Sequence, residues 1–263
     1  MARELHTAKL VRKQCLSQSA QCFHLEFVID AIPEFVFRPG QFISVGASDP
    51  HGKHHTRAYS IASAPNGNRF DLCLNRVEDG FLSNLLPDLK LGETVQIHGP
   101  HGFFTLREPI TDSIFVGAGT GVAPMRGFLQ HLFPAAGPDR SAGKHIWLVY
   151  GADREDEFYY RDEFEALALR HAHFRYLPTP SRSEDSWLGL RGEVADYVAG
   201  IAEELILQLG VPLRPPAPDA TGPEQNHPIH AYVCGLNNQV SAVRERLKHL
   251  GWHRKQIIVE RYD

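Results

Sequence analysis

Cysteine is scarce in this 263-residue chain: there are four, at positions 15, 22, 73 and 234. None forms a Cys-x-x-Cys pair or a Cys-x4-Cys-x2-Cys run, so the chain has no ligand pattern for an iron–sulfur cluster. Cys15 and Cys22 read as ordinary buried thiols. Long apolar runs are also missing. None approaches the roughly 20 residues needed to cross a bilayer as a helix. Nor does either sign of charge dominate: 27 Lys and Arg oppose 31 Asp and Glu, for a net −4. Bulk charge therefore implies neither a nucleic-acid nor a membrane partner. The opening residues Met1 to His6 lack the apolar core of a signal peptide, and a cytoplasmic protein is the expectation. Histidine, by contrast, is abundant. His51, His54 and His55 gather around Gly52-Lys53, but a glycine-containing loop does not hold ligands in rigid convergence, and no metal site is expected there.

What is present is enough apolar material, 43% of residues, for one large domain or two modest ones. The first part reads as β. Short runs of β-branched and aromatic residues occupy 9–14, 23–29, 41–45, 57–61, 70–77 and 94–98. Arg38-Pro39-Gly40, Asp49-Pro50-His51-Gly52, Pro65-Asn66-Gly67 and Gly99-Pro100-His101-Gly102 supply turns between them. Such spacing predicts a small antiparallel barrel, interrupted by one helix at 81–86 just after Gly80. Past Glu108-Pro109 the pattern changes. Strands at 113–116, 145–150, 173–177, 230–233 and 256–259 alternate with helices at 124–133, 161–171 and 239–250, the signature of βαβ units around a parallel sheet. The boundary falls near 107–112, dividing a domain of residues 1–108 from one of 109–263. Residues 134–143 and 212–228 read as loops rich in Pro, Gly, Ala and Asp.

Two motifs carry chemistry. Arg57-Ala58-Tyr59-Ser60 places a cation, an aromatic ring and a hydroxyl on one short strand, where side chains alternate between faces. A flavin asks for that set: a cation for phosphate, a ring to stack on, and a hydrogen-bonding group near N5. Gly117-Ala118-Gly119-Thr120-Gly121 follows a predicted strand and opens a helix through Pro124. Glycines let backbone approach a phosphate, and the helix start offers unpaired N–H groups and positive dipole. The spacing is GxGxG rather than the GxGxxG of the standard dinucleotide fingerprint.

In order along the chain stand Arg57 to Ser60, Gly80-Phe81-Leu82-Ser83-Asn84, Ile97-His98-Gly99-Pro100, Gly117 to Pro124, Val149-Tyr150-Gly151, Tyr232-Val233-Cys234-Gly235 and Val259-Glu260-Arg261-Tyr262. From about Ala8 onward this series resembles the ferredoxin–NADP⁺ reductase superfamily. The resemblance implies a two-domain fold: an N-terminal antiparallel β-barrel of Greek-key type that binds FAD, then a doubly wound α/β domain with a parallel sheet that binds NAD(P).

By the same resemblance Arg57 grips the FAD pyrophosphate, Tyr59 stacks on the isoalloxazine and Ser60 bonds near N5. Gly80, Phe81, Leu82 and Ser83 offer N–H groups and a hydroxyl to the same pyrophosphate. Leu74 lies on the strand that carries the adenosine side, and Tyr262 covers the second flavin face. Two pyrophosphate handles favour FAD over FMN. Gly119, Thr120, Gly121 and Pro124 hold the NADP(H) pyrophosphate, with Cys234 and Glu260 flanking the nicotinamide. Ser60, Cys234 and Glu260 are the residues expected to act in catalysis. Ser181-Arg182 matches the pair that binds a 2′-phosphate, which favours NADP(H); NAD(H) remains an option because NADH-using relatives also carry it and because Glu184 and Asp185 lie close behind. Plant-type relatives end on the tyrosine, whereas this chain adds Asp263. The activity implied is hydride transfer between NADP(H) and FAD, then single-electron exchange with a ferredoxin or flavodoxin that brings its own centre. An NADH-preferring reductase component serving an oxygenase is the alternative; a non-catalytic subunit on the same fold is a further one.

Overall fold

In the computed structural model, residues 5–182, 187–209 and 229–262 are described. They divide into two compact units, 1–106 with 123–140, and 107–122 with 141–263.

Six antiparallel strands build the first unit: β1 (Leu5–Ser17), β2 (Cys22–Val28), β3 (Phe42–Ser48), β4 (His54–Ser60), β5 (Arg69–Asn75) and β6 (Thr94–His101), in the order β4-β3-β6-β1-β2-β5. The two outer strands meet just past the end of β4. Ile61 bridges Leu72, and the Ala62 N–H donates to the Asp71 carbonyl at 2.8 Å. That contact closes the sheet into a barrel with non-sequential, Greek-key connections, as expected. Alternation along the strands fills the interior. Leu25, Phe27, Ile43, Val45, Phe70, Leu72 and Leu74 are all buried there, with Phe27 and Phe70 stacked 5.4 Å apart. Helix α1 (Phe81–Asp88) adds Leu82 and Leu86 to the same core.

The second unit holds a parallel sheet ordered β11-β10-β7-β8-β9, from β7 (Asp112–Ala118), β8 (Ile146–Ala152), β9 (Phe174–Pro180), β10 (Ile229–Leu236) and β11 (Ile257–Tyr262). Strands β7 and β8 are buried along their whole length, which is why they read as unbroken apolar runs rather than alternating ones. Helices α3 (Arg161–Arg170), α4 (Val194–Leu209) and α5 (Asn237–His249) accompany the sheet. Val198, Ala202, Val240, Val243 and Leu247 from α4 and α5 share a core with Val116, Val149 and Val233 from the strands.

Helix α2 (Val122–Leu132) follows β7 of the second unit in the chain, while residues 123–140 pack with the first unit. Its Phe128 lies 5.5 Å from Phe104, and Arg126 donates to the Ala62 carbonyl at 2.8 Å and pairs with Asp71 at 2.9 Å. Chain order places a helix beside the strand before it, but side-chain partners decide which core it joins. Helix α4 has no counterpart among the helices expected from sequence. Its Val, Ala and Leu positions are helix-compatible, and Gly189 and Gly192 stand just before it. The loop read at 212–228, along with Glu184, Asp185 and Asp263, lies outside the described residues. No helix among the described residues is long and apolar enough to cross a membrane.

Candidate active site

Strand β4 carries the first cluster. Tyr59, Arg57 and His55 pair directly with Ile43, Val45 and Ala47 of β3. Residues directly opposite in an antiparallel pair share a sheet face, and Ile43, Val45 and Ala47 belong to or pack on the barrel core. Tyr59 obeys that rule and is half-buried against the core, while Arg57 on the same face is exposed. An exposed guanidinium on a core-side position marks a place where the barrel surface opens. Burial pushes the Tyr59 hydroxyl up to about 12, against a smaller opposing pull from Arg57, so it stays protonated. Ser60 lies on the opposite face, buried, and Ala58 is exposed there.

Helix α1 begins beside this strand. The Phe81 ring lies 4.7 Å from that of His55, tilted at 40°, and packs on the barrel core. Gly80 is the N-cap and supplies no side-chain cap to the first turn, whose N–H groups therefore have no intrahelical partner. The Ser83 hydroxyl donates back to the Gly80 carbonyl at 3.2 Å. A cation, a flat aromatic wall and an uncapped helix start thus share one side of the first unit, and this donor set fits a flavin with a pyrophosphate. The Leu82 side chain is buried in the core, which leaves its N–H alone for a ligand. The Leu74 side chain is likewise buried in the barrel core, which leaves its backbone for an adenosine.

The second unit gathers the other cluster at the C-terminal ends of β7, β10 and β11. Register places Cys234 opposite both Gly117 and Glu260, and Leu236 opposite Tyr262. The strand order reverses between β7 and β10, and ligands of open α/β sheets bind in the crevice at such a switch point. After β7 the chain makes a tight 3₁₀ turn, Gly119–Gly121, and enters α2. Gly119 has φ +52°, the left-handed region. At Gly121 a Cβ would stand 2.2 Å from the Cys234 carbonyl oxygen, so only glycine permits the turn to lie against β10. Thr120 is half-buried within that turn, and Pro124 falls in the first turn of α2, where its missing N–H breaks no helical bond.

Tyr150 has a part that its sequence match did not disclose. Fully buried, it sets its hydroxyl 3.1 Å from the Gly119 carbonyl and 3.2 Å from that of Glu157, and accepts the Tyr159 N–H at 3.2 Å. The glycine turn is thereby tied to the end of β8. An aromatic residue two places from the end of an apolar strand was the available signal.

Cys234 is buried, with its thiol donating to the Glu260 carboxylate at 3.9 Å. Burial first, and the Glu260 charge second, push the thiol well above its usual range. A neutral, enclosed thiol is a weak nucleophile. Iodoacetamide at neutral pH is therefore expected to leave Cys234 unmodified in the native protein and to modify it after denaturation, read by peptide mass spectrometry. Ser181 and Arg182 come directly after β9, both exposed, with their N–H groups bonded to the carbonyls of Ala152 and Asp153 at 2.9 and 2.8 Å. The Arg182 side chain lies 3.4 Å from the Asp153 carboxylate.

Residues 7–106 match the oxidoreductase FAD-binding domain family, and residues 115–245 the oxidoreductase NAD-binding domain family. A ferredoxin–NADP reductase B of Sorangium cellulosum is 42% identical over 87% of this chain and 86% of its own length. The electron transfer component of a 2-halobenzoate 1,2-dioxygenase from Burkholderia cepacia is 28% identical over 87% of this chain and 60% of its own length. Among solved structures, a ferredoxin–NADP⁺ reductase from Plasmodium falciparum with 2′P-AMP superposes with a TM-score of 0.77 at 22% identity, covering 98% of this chain and 97% of that one. At that identity the likeness concerns the fold. The sequence likeness, the two domain families and the paired clusters together place the chain: it is a member of the ferredoxin–NADP⁺ reductase superfamily, a flavin- and nicotinamide-binding oxidoreductase.

Proposed function

We propose that the protein is an FAD-dependent reductase working between NADP(H) and a one-electron protein carrier of the ferredoxin or flavodoxin kind. The observation that carries this reading is the convergence of Gly119–Gly121, Cys234 and Glu260 at the switch point of the parallel sheet, in a chain 42% identical to a ferredoxin–NADP reductase. When bound, FAD supplies the chemistry, accepting hydride and releasing electrons singly.

The residues divide the remaining work. Arg57 and the N–H groups of Gly80 to Ser83 neutralise the flavin pyrophosphate, Tyr59 forms a flat wall for the ring, and Ser60 holds a proton at N5. The Gly119–Gly121 turn takes the nicotinamide dinucleotide's pyrophosphate. Cys234 with Glu260 orients the nicotinamide, and Tyr262 shields the ring until it arrives. Since the chain lacks cluster-binding cysteines, the partner must carry its own centre. A reducing, cytoplasmic setting belongs to this reading, in which Cys22 and Cys73, with sulfurs 3.7 Å apart, stay as thiols.

Ser181 and Arg182 favour NADPH by offering a hydroxyl and a guanidinium to the 2′-phosphate. Arg182 is 81% exposed at its side chain and shared with Asp153, so its discrimination is moderate. Arg182→Ala is expected to lower the NADPH:NADH ratio of kcat/KM about tenfold, the worth of one charge-assisted bond in partial solvent, with kcat/KM for NADH unchanged. An equal loss for both nucleotides would remove Arg182 from the 2′-phosphate site.

The dioxygenase relative supports one second reading, an oxygenase reductase component. Stopped-flow mixing of the NADPH-reduced protein with a ferredoxin, a flavodoxin and an oxygenase ferredoxin separates the two. Fast oxidation by the first pair supports the main reading. A protein that takes up no FAD, or is not reduced by NADPH, overturns it.

A further inference from the structure

We propose that His55, packed against Phe81, receives the adenosine half of FAD and makes the site selective for the dinucleotide over FMN. This rests on the flavin reading above.

Strand geometry sets the spacing. His55, Arg57 and Tyr59 occupy alternate positions of β4 and share one face. Each step of two residues advances about 6.8 Å, so His55 lies roughly 14 Å from Tyr59 along the strand. FAD has a fixed chemical order: ring, ribityl, two phosphates, ribose, adenine. With the ring on Tyr59 and phosphate on Arg57, the next position along the face meets the ribose and adenine. FMN ends at its phosphate and has nothing to place there.

The local structure is built to hold an aromatic ring in one orientation. The His55 Nε2–H donates to the Asp49 carboxylate at 2.9 Å, and Asp49 is itself fixed by the N–H groups of His51 and Lys53 at 2.9 and 3.0 Å. On another side the imidazole meets the Phe81 ring with centroids 4.7 Å apart and planes at 40°. The His55 side chain remains 27% exposed. A preoriented, partly open aromatic pair at the right distance from a phosphate grip is a platform for a purine, because every base offers a flat face to stack on. Leu74, turned into the core, presents no aromatic side chain there.

The test compares flavin affinities of the apoprotein, measured by quenching of FAD and FMN fluorescence, with no turnover involved. His55→Ala is expected to weaken FAD about tenfold and leave FMN unchanged, and His55→Phe is expected to restore most of the FAD affinity. Unchanged FMN binding also reports an intact barrel. If His55→Ala weakens FAD and FMN equally, His55 acts on the shared phosphate or on folding, and the proposal falls. Unchanged FAD affinity overturns it as well. Wild-type apoprotein that binds neither flavin would overturn the flavin reading itself, a result distinct from either.

Discussion

The Arg57→Ala variant is expected to purify nearly colourless, with FAD affinity reduced roughly 100-fold. The size comes from the contact. A guanidinium facing a pyrophosphate forms two charge-assisted bonds, each contributing about 1.5–3 kcal/mol, and every 1.4 kcal/mol is tenfold in affinity. The uncapped start of α1 and the Tyr59 wall survive the substitution, so binding is weakened rather than abolished. Arg57 is exposed on β4, and its loss leaves the barrel core of Ile43, Val45 and Leu72 untouched. The melting temperature of the apoprotein should therefore stay close to that of the wild type. Arg57→Lys keeps the charge but not the planar fork, and should fall between the two. Full flavin content in Arg57→Ala would show that the phosphate grip lies elsewhere.

Gly121→Ala should produce the other large effect, on the second unit and on nucleotide binding together. The added methyl carbon would stand 2.2 Å from the Cys234 carbonyl oxygen, 2.6 Å from its carbon and 2.9 Å from the Gly235 Cα. All three atoms are backbone in β10, which is hydrogen-bonded on both sides by β7 and β11, so nothing nearby can swing away. Overpacking of this kind costs about 3 kcal/mol, which in a chain of this size lowers the melting temperature by roughly 6–12 °C. The turn must move to relieve the clash, and NADP(H) affinity should drop at least tenfold with it. Gly200→Ala provides the contrast. Gly200 sits in α4 with no atom within 4 Å of its would-be Cβ, and alanine there should be neutral or stabilising by up to about 1 kcal/mol. Differential scanning calorimetry with nucleotide titration measures both. A Gly121→Ala protein as stable as wild type would mean the turn does not rest against β10.

The fold and the two halves of the site divide differently between sequence and structure. Sequence alone determined the change from alternating to continuous apolar runs near residue 108. It also determined the order of Arg57 to Ser60, Gly80 to Ser83, the glycine turn and Cys234. Those features are local: strand period, turn residues and glycine spacing act over a few positions, and they remain readable without any neighbour. What the tertiary structure decided depends on which segments meet. Leu74 turned into the core because its strand closes against β2 in a register that buries its face. Helix α2 joined the first unit because Phe128 and Arg126 found partners in Phe104, Ala62 and Asp71. Tyr150 became the anchor of the glycine turn through a hydroxyl reaching 31 positions back along the chain. His55 is held on β4 through contacts with Asp49 and Phe81, the latter 26 positions away on another element. A side chain's partner across such separations is set by strand register and packing, and neither is encoded in the residues immediately around it.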